Sequence, residues 1–321
     1  MKKILVTGVA GFIGSHVAEA LLKRGDKVIG VDNLNDYYPI DFKRANLSEL
    51  SDYSAFTFFE KDITQFESIA EIFSDRPFTH VAHLAARAGV RPSICDPFIY
   101  QEANVKGTLN LLELSCSKNG FDNFVLASSS SVYGNSRDIP FREDDSATDF
   151  PISPYAATKK ACEVLAHSYH HLHGLNVNIV RPFTVYGPRG RPDMAPWLFL
   201  SSALSGKSIK KFGTGETRRD YTYIDDFVTG FIAALDRPLG YEIFNLGNSA
   251  TVSLNEAISI IEEVSGKKLN FQELPMQPGD VELTNADISK AQRLLDYHPN
   301  TSFRDGMEKF HQWYLERFNK N

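Results

Sequence analysis

Residues Ile4-Leu5-Val6-Thr7 make a short apolar run that passes directly into Gly8-Val9-Ala10-Gly11-Phe12-Ile13-Gly14, after which apolar residues recur with helical spacing from Phe12 to Arg24. A strand followed at once by spaced glycines and a helix admits few architectures. The glycines let the backbone turn tightly beneath a ligand, and the free N–H groups and positive end of the helix favour a phosphate there. The next strand, Val28 to Val31, leads into Asp32, which lies 18 residues beyond Gly14. That is close to the spacing of about 20 at which an acid meets the adenosine ribose hydroxyls of a bound dinucleotide. A carboxylate there repels a 2′-phosphate, so the pattern selects NAD over NADP.

Short β-rich runs go on alternating with helical periodicity, at Phe56 to Phe59, Val81 to Leu84, Phe124 to Ala127 and Asn176 to Val180. Such alternation predicts an α/β fold, a Rossmann-type doubly wound parallel sheet with crossover helices. The chain of 321 residues is longer than one core usually organises. After about residue 180 the pattern loosens, with Pro- and Gly-rich pieces at Pro188 to Pro196 and Pro275 to Asp280. The expected division is an NAD-binding domain over 1–180 and a smaller C-terminal α/β lobe over 181–321 that binds substrate, some of whose segments return to the first domain.

A net charge of −6 argues against nucleic acid and membrane surfaces as partners, since neither polyanion gains from an acidic protein. Any anionic ligand must then be held by local arginines. Cys95, Cys116 and Cys162 have no ligand spacing and read as reduced residues of a cytoplasmic protein. The apolar start breaks at Thr7-Gly8, unlike a signal peptide, and no apolar run is long enough to span a bilayer. His167 and His171 stand one helical turn apart, but with no acid or thiolate in register they read as a solvated helix end, and no metal is expected.

Tyr155 and Lys159 are four residues apart, behind Ser153-Pro154, which reads as a helix start, so their side chains share one face. The spacing has a chemical use. A phenol of pKa about 10 is a poor base at neutral pH, and a neighbouring ammonium favours the phenolate, which can then take a proton from a substrate hydroxyl as hydride leaves the same carbon. A partner hydroxyl is expected from Ser128-Ser129-Ser130-Ser131, directly after a strand.

These motifs, with Lys61-Asp62-Ile63, His83-Leu84-Ala85-Ala86, Asn104, Val132-Tyr133-Gly134 and the GxxGxxG spacing, resemble the extended short-chain dehydrogenases/reductases, the NAD-dependent epimerases and dehydratases, over the whole chain. The resemblance implies NAD contacts from Gly8, Gly11, Phe12, Ile13, Gly14, Asp32, Asn33, Asp62, Ile63, Leu84, Ala85, Ala86, Asn104, Tyr155, Lys159, Pro182 and Val185, with Asp62 at the adenine and Asn104 supporting the active-site helix. By register with the family, Ser129 is the hydroxyl that bonds the reacting oxygen, and Ser130 is its close competitor.

The same resemblance implies a nucleotide-sugar substrate. Arg191, Arg218 and Arg219 supply positive charge that suits a pyrophosphate, the element Arg219-Asp220-Tyr221 reaching the diphosphate and Asp280 the nucleoside ribose. Gln277 stands where the hexose epimerases carry an arginine. More specific stretches, Asp32 to Tyr38, Ala88 to Arg91, Thr184 to Pro188, Gly190 to Ala195 and Leu274 to Val281, resemble the branch of the family that epimerises UDP-uronates at C4. That branch implies a uronate carboxylate held near Ser130 and Thr184, aided by Arg91, and a homodimer formed through the helix after Glu102 and the helix of Tyr155. A UDP-hexose 4-epimerase is the nearest rival, and a catalytically silent, NAD-responsive scaffold is the rival from another class; intact Ser129, Tyr155 and Lys159 speak against the latter.

Overall fold

A computed structural model describes residues 1–76, 78–275 and 281–318. Its strands are β1 (Lys3–Thr7), β2 (Lys27–Asp32), β3 (Phe56–Glu60), β4 (His80–His83), β5 (Asn123–Ala127), β6 (Val177–Pro182), β7 (Thr184–Tyr186), β8 (Ile209–Phe212), β9 (Arg218–Tyr223), β10 (Tyr241–Leu246), β11 (Thr251–Ser253) and β12 (Phe271–Leu274). Seven of them form one parallel sheet in the order β10-β6-β5-β4-β1-β2-β3. The order reverses between β1 and β4, and ligands of such sheets bind in the crevice beyond the strand ends at that point.

The strands read as continuous apolar runs because both faces of the sheet are covered. Successive side chains point to opposite faces, so Ile4 and Val6 join one buried cluster while Leu5 joins the other; Val125 and Ala127 part from Phe124 and Leu126 in the same way. The first cluster runs on into the second half of the chain through Trp197, Phe227, Phe231 and Phe310. The seventh strand comes from that half, β10 pairing with β6 from Tyr241↔Val177 to Leu246↔Pro182. The helix Ile224–Asp236 is stitched to the sheet as well: the Asn123 and Asn178 amides donate to the Ala234 carbonyl at 2.9 and 2.7 Å. Outside the sheet, β7, β9 and β11 form a three-stranded layer and β8 pairs with β12. Among the described residues, no helix is long and apolar enough to cross a membrane.

Candidate active site

A cavity of about 610 Å³ opens along the C-terminal ends of β1, β2, β4, β5 and β6. Its floor is the turn after β1. Gly8 takes φ +71°, and a Cβ there would come within 2.7 Å of the Ala85 backbone nitrogen in the neighbouring turn after β4. Gly14, in the first turn of the helix Phe12–Lys23, lies so close beneath this loop that a Cβ would overlap the Gly8 carbonyl oxygen. Neither position admits a side chain without moving the backbone of these turns, so the glycines keep the loop tight; it presents a helix N-terminus to the cavity, which fits a dinucleotide pyrophosphate. Gly14→Ala is expected to yield protein purified without dinucleotide; ultraviolet absorbance of the supernatant after denaturation measures this, and a wild-type content would refute the role of the cradle.

His83, at the end of β4, holds the two turns together. Its Nδ1 lies 2.7 Å from Thr7 Oγ1 and its Nε2 2.9 Å from Thr108 Oγ1, while Thr7 Oγ1 also accepts the Ala85 N–H at 3.3 Å. Burial, with the charge of Lys159 added, pushes the imidazole down to about 3, so it stays neutral.

Asp32 is buried at the end of β2, accepting from Ala10 N at 3.1 Å and Leu34 N at 2.9 Å. Burial raises its carboxyl above the ordinary range, opposed first by Lys43. Asn33 donates to Asp62 at 2.8 Å; burial pushes the Asp62 carboxyl up, but bonds from Thr64 and Asn33 prevail and hold it below the usual range.

The helix Pro154–His173 begins with a Ser153 cap, whose hydroxyl accepts the Ala156 N–H at 3.2 Å, and ends at Gly174 in the left-handed region. Its first turns carry Tyr155 and Lys159 on the cavity wall. Lys159 is buried and donates to the Ala127 carbonyl at 2.8 Å, where β5 ends and the serine run begins. Ser129 accepts the Ser131 N–H at 3.1 Å, which orients its oxygen and leaves its own hydrogen to donate. Ser128 points the other way, donating at 2.5 Å to Glu163, which is buried against Arg181 with N–O distances of 2.9 and 2.7 Å.

The cavity wall gathers Gly8, Gly11, Phe12, Ile13, Gly14, Asp32, Asn33, Asp62, Ile63, Leu84, Ala85, Ala86, Ser129, Ser130, Tyr155, Lys159, Pro182, Thr184, Val185 and Arg191. Asn104 does not line it. Instead its side chain accepts from Arg87 N at 2.7 Å and donates to Arg87 O and Thr158 Oγ1 at 3.1 and 3.0 Å, from a π-helical stretch Gln101–Lys106, so it clasps the Tyr155 helix rather than facing the cavity. Arg91 and Arg219 are also off the wall: the Arg91 guanidinium lies 5.2 Å from the Phe212 ring centre, and Arg219 donates to the Arg218 carbonyl at 2.9 Å. Arg218 is turned to Thr251 and Glu256. Asp280 and Gln277 lie outside the described residues.

Other residues reach the cavity unheralded. Tyr37 is flanked by two guanidinium groups, Arg87 at 5.1 Å and Arg191 at 5.3 Å, and donates to Asp193 at 3.2 Å, which joins three loops at the cavity edge. Lys43 is buried on the helix Ile40–Ser51. One sequence signal could have found it, since Lys43, Leu47 and Leu50 share the buried face of that helix.

Residues 4–247 match the model of the NAD dependent epimerase/dehydratase family. The chain belongs to that family. Within it, the chain is 49% identical over 313 residues to a UDP-glucuronate 4-epimerase of Thermodesulfobacterium geofontis, covering 97% of this chain and 96% of that one. It is 46% identical to UDP-glucuronate 4-epimerase 4 of Arabidopsis thaliana, covering 98% of this chain and 76% of the plant protein. Among solved structures it is similar to the UDP-glucuronic acid 4-epimerase of Bacillus cereus in complex with UDP-glucuronic acid and NAD, with a TM-score of 0.92 and 39% identity over 98% of this chain and all of that one. An NAD-dependent family and an NAD-shaped cradle agree on the cofactor.

Proposed function

We propose that this chain epimerises UDP-glucuronate at C4, giving UDP-galacturonate through a transient 4-keto sugar with NAD held throughout. The observation that carries the reading is the assembly of Ser129, Tyr155 and Lys159 at the end of β5, beside a cradle built for a dinucleotide. The glycine cradle and Asp32 would hold NAD, which would supply the redox chemistry as the acceptor and donor of the C4 hydride. Tyr155 takes the proton from the C4 hydroxyl and gives it back. Ser129 donates a hydrogen bond to the same oxygen, and Lys159, anchored on Ala127, fixes a positive charge one helical turn from the phenol.

The substrate end is read in the same way. Arg191 is on the cavity wall beside Asp193 and suits an anionic group of the UDP-sugar, while Ser130 and Thr184 offer hydroxyls to the uronate carboxylate. A 4-keto uronate is a β-keto acid and loses carbon dioxide readily if its carboxylate is oriented for cleavage. Ser130 and Ser131 are neutral donors and poor bases, so they hold that group without promoting C5 proton removal. Substrate deuterated at C4 is expected to yield UDP-galacturonate of unchanged mass, read by mass spectrometry. Predominant loss of carbon dioxide or of water would replace the reading with a decarboxylase or a dehydratase.

The enzyme works in the cytoplasm as a homodimer. Three free cysteines suit a reducing compartment. Exposed Leu109 on the helix Gly107–Cys116, with Val164 and Leu172 on the Tyr155 helix, offers an apolar face to a second copy.

A further inference from the structure

We propose that Lys43 is a cofactor-selecting residue: together with Asp32 it forms a latent 2′-phosphate site, which the Asp32 carboxylate masks. The inference rests on the reading of Asp32 as the ribose acid. It adds that NADP is refused by one charge while an opposite charge stands ready beside it.

Lys43 and Asp32 line the same cavity, and each is nearly inaccessible, at 4% and 8% exposure. The ammonium reaches Asn35 twice, at 2.7 Å to the carbonyl and 3.0 Å to the side-chain oxygen, and lies 5.2 Å from the centre of the Tyr38 ring. An ammonium has three hydrogens, so one remains beyond those two bonds. Asp32 in turn accepts one backbone N–H on each oxygen, which leaves both with capacity for ribose hydroxyls.

A buried cation carries a large desolvation cost unless an anion offsets it. Burial lowers the Lys43 ammonium below its ordinary value and Asp32 is the first charge to oppose that, just as Lys43 is the first to oppose the rise at Asp32. Each charge therefore offsets part of the other's burial cost. Removing Asp32 leaves a desolvated cation at the ribose end of the cavity, and the anion best able to satisfy it is a phosphate on the adenosine ribose. Loss of the acid then does more than relax the cofactor preference. It reverses it.

The test is calorimetric titration of dinucleotide-stripped protein with NAD and NADP, which needs no sugar turnover. Asp32→Ser is expected to bind NADP tenfold or more tighter than NAD, about the worth of one charged hydrogen bond. In the double variant Asp32→Ser/Lys43→Gln the two dinucleotides should bind about equally, because the glutamine amide keeps a donor for Asn35 and lacks the charge. Lys43→Arg in the Asp32→Ser background should retain the NADP preference, and binding of NAD by every variant reports an intact cavity. A double variant that prefers NADP as strongly as Asp32→Ser overturns the role of Lys43. An Asp32→Ser protein that still refuses NADP overturns the ribose reading of Asp32 as well, while leaving the proposed epimerisation untouched.

Discussion

Tyr155→Phe is expected to lose turnover by roughly 10²- to 10⁴-fold, the usual worth of a positioned acid/base, while retaining NAD and binding UDP-glucuronate nearly as wild type does. The variant removes one oxygen from a ring that is otherwise held by its surroundings. The Tyr155 N–H donates to Ser93 at 3.1 Å, the ring meets Tyr100 edge-on at 6.1 Å, and the Thr158 hydroxyl donates to the Tyr155 carbonyl at 2.8 Å. None of these contacts uses the phenol oxygen, so the fold has no reason to change. Steady-state rates and calorimetric sugar binding, measured together, separate the outcomes: a fall in turnover without a matching loss of binding is the mark of a group acting in the transition state. Near-normal turnover would remove Tyr155 from the chemistry. Ser129→Ala should lose less, since it donates a bond without moving the proton.

The second large effect is on stability. Arg181 is wholly buried on β6 and makes four hydrogen bonds: two go to Glu163, one to the Tyr133 hydroxyl at 2.9 Å and one to the Glu143 carbonyl at 3.2 Å. Tyr133 passes its own hydrogen to Asn245 at 2.7 Å on β10. The ion pair thus ties the Tyr155 helix to β6 and, through Tyr133, to the strand contributed by the second half. Arg181→Met leaves the Glu163 carboxylate buried without its partner, and the expected cost is about 3–5 kcal/mol in urea unfolding. Replacing both charges, as Arg181→Met with Glu163→Leu, should recover part of that loss, because well-packed apolar residues can replace a buried pair. A single variant within about 1 kcal/mol of wild type would mean that the carboxylate finds other partners. Turnover should fall with stability here, since Ser128, bonded to Glu163, immediately precedes Ser129.

The local pattern alone carried much of the site. A strand, three glycines, a helix and a strand-end acid are contiguous in the chain, so β1, Gly8, Gly14, the helix Phe12–Lys23 and Asp32 follow from short-range sterics and periodicity. Tyr155 and Lys159 were legible for the same reason, because four residues on a helix return to one face whatever surrounds it. The serine run Ser128 to Ser131 after β5 is equally local.

What the chain could not announce locally depended on where distant segments meet. Asn104 turns from the cavity to clasp Arg87 and Thr158, and its direction is set by the packing of two helices 54 residues apart in sequence. The Arg91 guanidinium meets the Phe212 ring, and Arg219 reaches the Glu282 carbonyl at 3.4 Å, only once distant segments have packed together. Tyr37 gains its two guanidinium neighbours only when three loops converge, and β10 joins the central sheet after the chain has passed through β7, β8 and β9. Lys43 marks the boundary between the two kinds of information. Helical spacing puts it on a buried face, but only the neighbouring strand end puts an acid and a cavity in front of it, because strand order and loop approach are fixed by long-range packing that no local period encodes.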